Sequence, residues 1–217
     1  MTANASGTMV EEMQSGDADA PLPALIRQSP MAMCLTNPRL PDNPVIACNQ
    51  AFTDLTGYRE EDIIGLNCRF LSREPTRPDV RAQIEIAKRE KRGVLFETVN
   101  YRKDGVAFRN VVMVAPMFDD DGELAFYLGS QVEVPLDRDN SGFSSDRRAA
   151  ALAKVDSLTP RQREILVLMA QGRLNKQIAH ELSLSEKTVK MHRALLLQRL
   201  EVATSADAVR LAVEAGL

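Results

Sequence analysis

Three carboxamide side chains are the residues of this sequence whose types and spacing best suit the binding of an organic cofactor. Asn100, Asn110 and Gln131 lie in three predicted strands, at positions whose side chains alternate onto one face of each strand. If hairpins pair these strands, the three amides converge on an otherwise apolar concavity. Because a carboxamide both donates and accepts hydrogen bonds, the set suits a planar heterocycle with N–H and C=O edges, such as a flavin. A second interpretation stays equally open, in which the amides cap loops or satisfy the backbone.

Five strand-like runs and a helical middle segment would position these amides. Asp-Gly turns within 103–105 and 120–122 separate the last three runs and are strong signals for antiparallel hairpins. Several helices are predicted across 49–90, the longest of them near 78–90. The predicted fold is an α+β domain with an antiparallel five-stranded sheet and helices on one face. The predicted strands are 31–36, 45–48, 94–102, 106–118 and 124–134.

The segment 65–71, Gly-Leu-Asn-Cys-Arg-Phe-Leu, resembles the signature of light-oxygen-voltage (LOV) domains, the flavin-binding branch of the PAS fold. The resemblance covers about 25–134 and implies that Cys68 is the photochemical thiol, which adds reversibly to flavin carbon C4a after blue-light excitation. Because an unperturbed thiol has a pKa of about 8.5, this group is mainly protonated near neutral pH and could deliver both its sulfur and the proton that reaches N5. The other matching segments, in the family's order and spacing, are 37–44, 49–58, 100–105, 108–110 and 129–131.

The same resemblance implies the flavin-binding residues. Asn100 and Asn110 would bind the pyrimidine edge, and Gln131 would lie near N5 and O4. Once N5 gains a proton it changes from acceptor to donor, so Gln131 should reorient its amide and pass the signal to the last strand. Asn67 would hydrogen-bond the ribityl chain, and Arg69 would pair with the terminal phosphate.

Two positions depart from the LOV pattern where the cofactor tail would lie. Ser72 stands where the family usually has glutamine, and Glu85 stands where it often has a second phosphate-binding arginine. These departures leave the flavin species open, with FMN as the first choice and FAD or riboflavin as alternatives. Other cations nearby could replace the missing arginine, namely Arg73, Arg77, Arg81 and Lys88.

Composition narrows the class of protein. The three cysteines are an odd number without paired spacing, which argues against a disulfide framework and for a reducing cytoplasm. Outside the LOV motif, Cys34 and Cys48 are interpreted as small buried hydrophobes. Two isolated histidines and no CxxC predict no zinc site. No run approaches the ~20 apolar residues of a membrane span, and 1–20 lacks an apolar signal core, so we expect a cytoplasmic protein without membrane contact.

Composition breaks predict the organisation of the chain. Residues 1–20 hold four acids and no bases and are predicted to be a flexible tail, before a sensor domain at 21–135. A linker at 136–156 contains a predicted connector helix at 147–155, which is rich in alanine. The last domain, 157–217, is predicted to be all helical, and the segment 158–200 carries eight bases and three acids, which suits a polyanionic partner.

Four short helices with tight turns in 157–217 predict a helix-turn-helix domain. The first begins at Thr159, whose side chain and Gln162 form a predicted capping box, and ends at Gly172. The second is predicted at 175–182. Ser183 or Ser185 would begin the third, which runs to about 200, and Thr204 or Ser205 would begin the fourth, which ends at Gly216.

The third of these helices carries the pattern expected of a DNA-reading element. Its apolar side, with Val189, Leu196 and Leu200, would face the core, and the opposite stripe combines cationic and small residues. Such a stripe can enter a major groove, although a solvated helix face shows the same pattern. The stripe consists of Lys187, Lys190, Met191 and Ala194, and the residues placed to contact phosphates are Lys187, Thr188 and Arg193.

The segments 158–161, 172, 175–179 and 185–192 resemble the LuxR-type helix-turn-helix of bacterial regulators. The resemblance implies binding to double-stranded DNA as a homodimer, commonly through the fourth helix. In this sequence the apolar stripe of that helix is formed by Val209, Ala212 and Val213. The order of the two domains resembles that of bacterial LOV-HTH photoreceptors.

The face of the sheet opposite the amides is predicted to be apolar and therefore to cover a partner. We expect it to cover the DNA-binding domain of a dark monomer, which light releases to dimerise on DNA. Alternatives are a PAS regulator that senses redox state or a ligand without photochemistry, a flavoenzyme, for which we find no catalytic residues, and an unliganded interaction module. The residues of this outer face are Leu95, Val99, Val111, Met113, Phe126, Leu128 and Val132.

Overall fold

The computed structural model describes residues 26–119, 121–135 and 140–217, with the side chains of 140–145 left out. The tail predicted at 1–20 and residues 136–139 of the predicted linker lie outside the described residues.

A five-stranded antiparallel sheet forms the first half of the described chain, as the sequence predicts. Its spatial order is β2-β1-β5-β4-β3, so the first strand along the chain pairs with the last. Gly105 and Gly122 adopt φ values of 88° and 79° in the turns of the two hairpins, a left-handed conformation that glycine adopts without a steric penalty. The strands are β1 Ala32–Thr36, β2 Val45–Cys48, β3 Val94–Tyr101, β4 Ala107–Phe118 and β5 Leu124–Val134.

Short helices between β2 and β3 lie along the inner face of the sheet. Asn49 caps the first of them by accepting hydrogen bonds from the backbone N–H groups of Phe52, at 3.0 Å, and Met33, at 2.9 Å. This one side chain therefore ties the helix to β1. The elements are α1 Gln50–Thr56, α2 Glu60–Ile63, a 3-10 turn Cys68–Leu71 and α3 Pro78–Arg89.

Five helices form the second half, in agreement with the predicted all-α domain. The capping box predicted at Thr159 and Gln162 is present, Ser185 caps the third helix of the domain and Thr204 caps the fourth. The connector helix begins at residue 140 rather than 147, and so includes a Ser- and Gly-containing segment whose low helix propensity predicted no helix. The helices are α4 Asn140–Asp156, α5 Pro160–Ala170, α6 Asn175–Glu181, α7 Glu186–Leu200 and α8 Ser205–Ala215.

The outer face of the sheet packs against these C-terminal helices. Buried side chains of the sheet, including Met33, Met113 and Leu128, belong to one continuous apolar cluster with Ile165 and Ala212 of the helices. The predicted docking surface is therefore covered by the chain itself, except at its edge, where Val99 is 48% exposed. Among the described residues, no helix combines the length and apolarity needed to span a bilayer.

Candidate functional site

The pairing register places all three carboxamides on the inner face of the sheet, as strand parity predicts. Thr98 pairs with Asn110, Asn100 with Phe108, and Val112 with Gln131, and directly paired residues project to the same side. Asn100, Asn110 and Gln131 are all buried.

The hydrogen bonds of these amides leave two acceptors unpaired. Asn110 Nδ2 donates to Asn100 Oδ1 at 2.8 Å, and Asn100 Nδ2 donates to the carbonyl of Leu71 at 3.2 Å and to Ser72 Oγ at 3.3 Å. Asn110 Oδ1 and Gln131 Oε1 are buried and have no hydrogen-bond partner. A buried, unpaired acceptor costs about 1–3 kcal/mol. The unpaired oxygen of Asn110 fits the one ring N–H that an oxidised flavin presents, and the oxygen of Gln131 would gain a donor only after N5 is protonated.

Cys68 lies at the start of the 3-10 turn, above this inner face. Asn67 caps the turn by accepting from the backbone N–H of Arg69 at 3.0 Å, which fixes the direction in which Cys68 leaves the backbone. Cys68 Sγ lies 3.8 Å from Sγ of Cys34 on β1, and Nε2 of Gln131 lies 4.0 Å from the Cys34 sulfur. The three side chains thus form a continuous row from the turn to the last strand.

Each thiol has a different electrostatic environment. A hydrogen bond from the Cys34 thiol stabilises the Cys68 thiolate and lowers the pKa of Cys68. The same interaction, together with burial, raises the pKa of Cys34. Burial raises the pKa of Cys48 to about 11. Because its pKa is lowered, Cys68 has a larger thiolate fraction near neutral pH than an unperturbed thiol, whose pKa is about 8.5.

The sequence interpretation of Cys34 as a small buried hydrophobe is incomplete. The side chain is buried, but it contacts both Cys68 and Gln131. Strand parity puts Cys34 on one face of β1, but only the pairing of β1 with β5 brings that face beside Gln131. These residues are 97 positions apart in the sequence, so no local pattern reveals the contact.

The basic residues assigned to the cofactor phosphate are held by other protein groups. Arg69 pairs with Asp42, whose Oδ2 lies 2.5 Å from Nη1, and Arg77 pairs with Asp79 at 2.6 Å. The guanidinium of Arg73 stacks 4.2 Å from the ring centroid of Tyr101. All three arginines are exposed, so these contacts are weak enough to exchange for a phosphate.

Asn67 and Glu85, which are also predicted near the cofactor tail, contact neighbouring protein groups. Asn67 Nδ2 donates to the carbonyl of Asp42 at 2.5 Å, and Arg81 is exposed on α3. Glu85 forms an ion pair with Lys88 at 2.7 Å, so its carboxylate is compensated rather than directed toward a bound anion.

The stripe predicted to contact DNA lies on the exposed side of α7. Val189, Leu196 and Leu200 are buried, as predicted for the core side of this helix. The four stripe residues are all exposed: Lys187, Lys190, Met191 and Ala194.

Two of the three residues predicted to contact phosphates, Thr188 and Arg193, have additional structural contacts. Thr188 donates its backbone N–H to the cap Ser185 at 3.1 Å. Arg193 hydrogen-bonds Asn175 Oδ1 and, at 2.8 Å, Ser205 Oγ, so it connects α6 with the start of α8.

Helix α8, the predicted dimerisation helix, is covered by the sheet and the other helices. Val209 and Ala212 are buried in the common apolar cluster, and a Cβ atom on Gly93, just before β3, would collide with Cγ2 of Val213. Arg210 is buried and donates from Nη1 to Ser130 of β5, at 2.8 Å to Oγ and 3.2 Å to the carbonyl.

A further polar contact joins α8 to the segment before β1, and another holds Arg210 within α8. Ser29 Oγ donates to Asp207 Oδ1 at 2.5 Å, and Glu214 accepts from Arg210 Nε at 2.9 Å. Sequence reasoning missed Arg210, because an arginine within a helix is usually exposed.

Comparisons with known proteins agree with both halves of the molecule. Residues 30–134 match the PAS domain family, and residues 156–212 match the luxR family of bacterial regulatory proteins. Over 108 residues the chain is 42% identical to blue-light-activated histidine kinase 1 of Erythrobacter litoralis, and over 117 residues it is 42% identical to a blue-light-activated histidine kinase of Brucella anthropi. These matches cover 50% and 54% of this chain but only 30% and 24% of the two relatives.

Among solved structures, the LOV protein of Rhodobacter sphaeroides superposes with a TM-score of 0.52 at 26% identity. That match covers 87% of this chain and 92% of the other. The chain spans less than a third of the length of the two kinases named above. The match therefore does not assign the kinase activity of those proteins to this chain. The chain therefore combines a PAS domain at 30–134, which is similar in structure to a LOV protein, with a helix-turn-helix domain of the luxR family at 156–212.

Proposed function

We propose that this protein is a blue-light-regulated DNA-binding transcription regulator whose sensor domain holds its output domain inactive in the dark. The observation that carries the proposal is the contact between α8 and the outer face of the sheet. Arg210 of α8 is bonded to Ser130, and the next residue along β5 is Gln131, on the inner face. One strand therefore connects the predicted chromophore site with the predicted dimerisation helix.

A flavin, with FMN as the proposed species, would supply blue-light absorption and an electrophilic carbon, C4a, when bound. Asn100 and Asn110 would hold its pyrimidine edge, and the unpaired Oδ1 of Asn110 supplies an acceptor for a ring N–H. Asn67 and Arg69 would bind the ribityl chain and the phosphate. Cys68 would bond to C4a through its sulfur in the light and regain its proton in the dark.

Gln131 would sense this change. Its Oε1 is an unpaired acceptor at the inner face, so the amide can rotate to follow a change from acceptor to donor at N5. Because successive residues of a strand project to opposite faces, a shift of Gln131 moves the backbone that carries Ser130. Ser130 contributes both its hydroxyl and its carbonyl to Arg210, so this shift acts directly on the α8 contact.

The output would be controlled through dimerisation rather than by blocking the DNA-reading stripe. The stripe on α7 is exposed in the docked arrangement, whereas Val209 and Ala212 of α8 are buried. We therefore propose a monomer in the dark and a homodimer on double-stranded DNA in the light. The signal need only change the relative stability of docked and released states by a few kcal/mol.

We further propose that the chain acts without enzymatic activity. The curated relatives are named histidine kinases, but the segment that follows the PAS domain here matches a family of bacterial regulatory proteins. Its four helices provide a DNA-reading stripe and a dimerisation surface as the output of the sensor.

The decisive experiment is a visible spectrum of the flavin-loaded chain before and after blue illumination. We expect a reversible loss of the blue band in the wild type and in Cys48→Ser, which keeps the photochemical thiol. We expect no loss in Cys68→Ala. A wild-type spectrum that does not change under illumination would contradict the photochemical step.

A gel-shift titration tests the output separately. We expect tighter DNA binding in blue light than in darkness for the wild type, and no difference for Cys68→Ala. Equal dark and lit affinities for the bleaching wild type would show that the α8 contact does not control DNA binding.

A further inference from the structure

Two of the three cysteines face each other at the predicted chromophore site. The sulfurs of Cys34 and Cys68 are 3.8 Å apart, whereas a disulfide bond is about 2.05 Å long. Closing the gap requires the sulfurs to approach by about 1.8 Å. Cys48 pairs with Cys34 across β1 and β2, but within the described part of the chain only the Cys34 and Cys68 thiols are in hydrogen-bond contact with each other.

The strand next to β1 leaves room for the Cys34 sulfur. Gly129 pairs directly with Cys34, and a Cβ atom at Gly129 would lie only 2.9 Å from Cys34 Sγ. The absence of a side chain at this position lets the sulfur lie over the glycine, beside Cys68.

The two thiols also differ in exposure and in acidity, as the attacking and resolving members of a disulfide-forming pair do. Cys68 is half-buried and can meet a small reagent, whereas Cys34 is fully buried and can react only with its neighbour. The hydrogen bond between them favours the thiolate on Cys68, the accessible member.

We propose that Cys34 and Cys68 form a redox-active pair, which a small-molecule disulfide such as oxidised glutathione converts to a Cys34–Cys68 disulfide. The Cys68 thiolate attacks the reagent and forms a mixed disulfide, releasing one glutathione thiolate. Cys34 then loses its proton and attacks the Cys68 sulfur, releasing the second. The two cysteines together lose two protons and two electrons, and the reagent disulfide gains the electrons as it becomes two thiols.

This disulfide would switch off the photochemical response. With its sulfur bonded to Cys34, Cys68 has no thiol with which to react at the flavin, until reduction restores it. The effect on the light response rests on the proposed function, but formation of the disulfide depends only on the two cysteines. The chain would then respond to blue light only under reducing conditions.

The test uses the full-length, flavin-loaded chain, treated in the dark with oxidised glutathione, then alkylated and measured by intact mass spectrometry. We expect the wild type to keep one alkylatable thiol of its three and to retain no glutathione. Cys48→Ser should form the same disulfide and keep none. Cys34→Ser should instead retain glutathione on Cys68, because the resolving thiol is missing.

Two outcomes would overturn the inference: a wild type that retains glutathione or all its thiols, or a disulfide that Cys48→Ser abolishes. Blue-light bleaching of the same samples separates this inference from the proposed function. Oxidised wild type should lose bleaching in proportion to its disulfide content and regain it with dithiothreitol. Bleaching of reduced protein without any disulfide formation leaves the proposed function intact and refutes the pair. Formation of the disulfide in a protein that never bleaches would support the cysteine pair and refute the proposed function.

Discussion

Substitution of Gly93 by alanine should release the DNA-binding domain without light. Gly93 lies just before β3, and the three atoms nearest to an added Cβ all belong to Val213 of α8. The closest of them, Cγ2, would overlap with the new methyl group. Valine cannot easily rotate away, because its branched side chain is restricted at χ1. The substitution therefore acts on the contact between sheet and helix, and not on the inside of the PAS domain.

The magnitude follows from the cost of overpacking. An added methyl group in a packed contact costs about 1–3 kcal/mol, and about 1.4 kcal/mol changes an equilibrium constant tenfold. At the lower end, about 1 kcal/mol, the released fraction of each protomer would rise about fivefold. Because the proposed DNA-bound species is a dimer, both protomers must be released, so the apparent binding constant in the dark should rise by about thirtyfold while the docked state still predominates.

Gel-shift titrations of flavin-loaded Gly93→Ala in darkness and in blue light measure this effect. In the light the variant should bind as the wild type does, because the released state has no contact between Gly93 and Val213. The double variant Gly93→Ala, Val213→Ala supplies the control, since it removes the atom that collides. In the Val213→Ala background, the substitution Gly93→Ala should raise the affinity for DNA in the dark much less than it does in the wild-type background. A Gly93→Ala protein with an intact spectrum and wild-type dark affinity would refute the docking argument.

Three further predictions test other parts of the molecule. Ser130→Ala leaves Nη1 of Arg210 only the carbonyl partner at 3.2 Å, so docking should weaken by about 1–2 kcal/mol and dark DNA binding should rise, as gel shifts would show. Lys187→Ala, at an exposed stripe position, should weaken lit DNA binding for all sequences and lower the salt slope by about one per protomer; an unchanged slope would exclude a phosphate contact. Alkylation followed by peptide mapping should label Cys68 before Cys48 at pH 8, because only thiolates react and burial raises the pKa of Cys48 to about 11. Labelling of Cys48 should accelerate as the pH rises toward that value, and equal rates at pH 8 would contradict the assigned environments.

Local signals in the sequence were sufficient for the strands, the hairpin turns and the helix caps, but not for the start of the connector helix. The capping box at Thr159 and Gln162 and the glycine turns between the last three strands depend on a few consecutive residues. Strand parity also placed Asn100, Asn110 and Gln131 on one face, because alternation along a strand is a local property.

Contacts between distant segments could not be predicted in the same way. Arg210 and Ser130 are 80 positions apart, and Cys34 and Gln131 are 97 apart. The sequence predicted that the outer face of the sheet covers a partner, but not which side chains make the contact. A buried arginine cannot be identified by its residue type, since it becomes favourable only when specific acceptors surround it.

The imperfections of the docked interface explain how a small signal could open it. Arg210 is buried with a charge that burial disfavours, which lowers its pKa, and its Nη2 has no hydrogen-bond partner. Such an unpaired donor costs about 1–3 kcal/mol. An open cleft of about 460 Å³ lies at the same junction, where Leu95, Val111 and Val213 line it together with charged side chains that include Arg147 and Glu214. In the proposed mechanism, the unpaired donor of Arg210 lowers the stability of the docked state where α8 meets the sheet. It therefore reduces the free-energy difference that the change at Gln131 has to overcome.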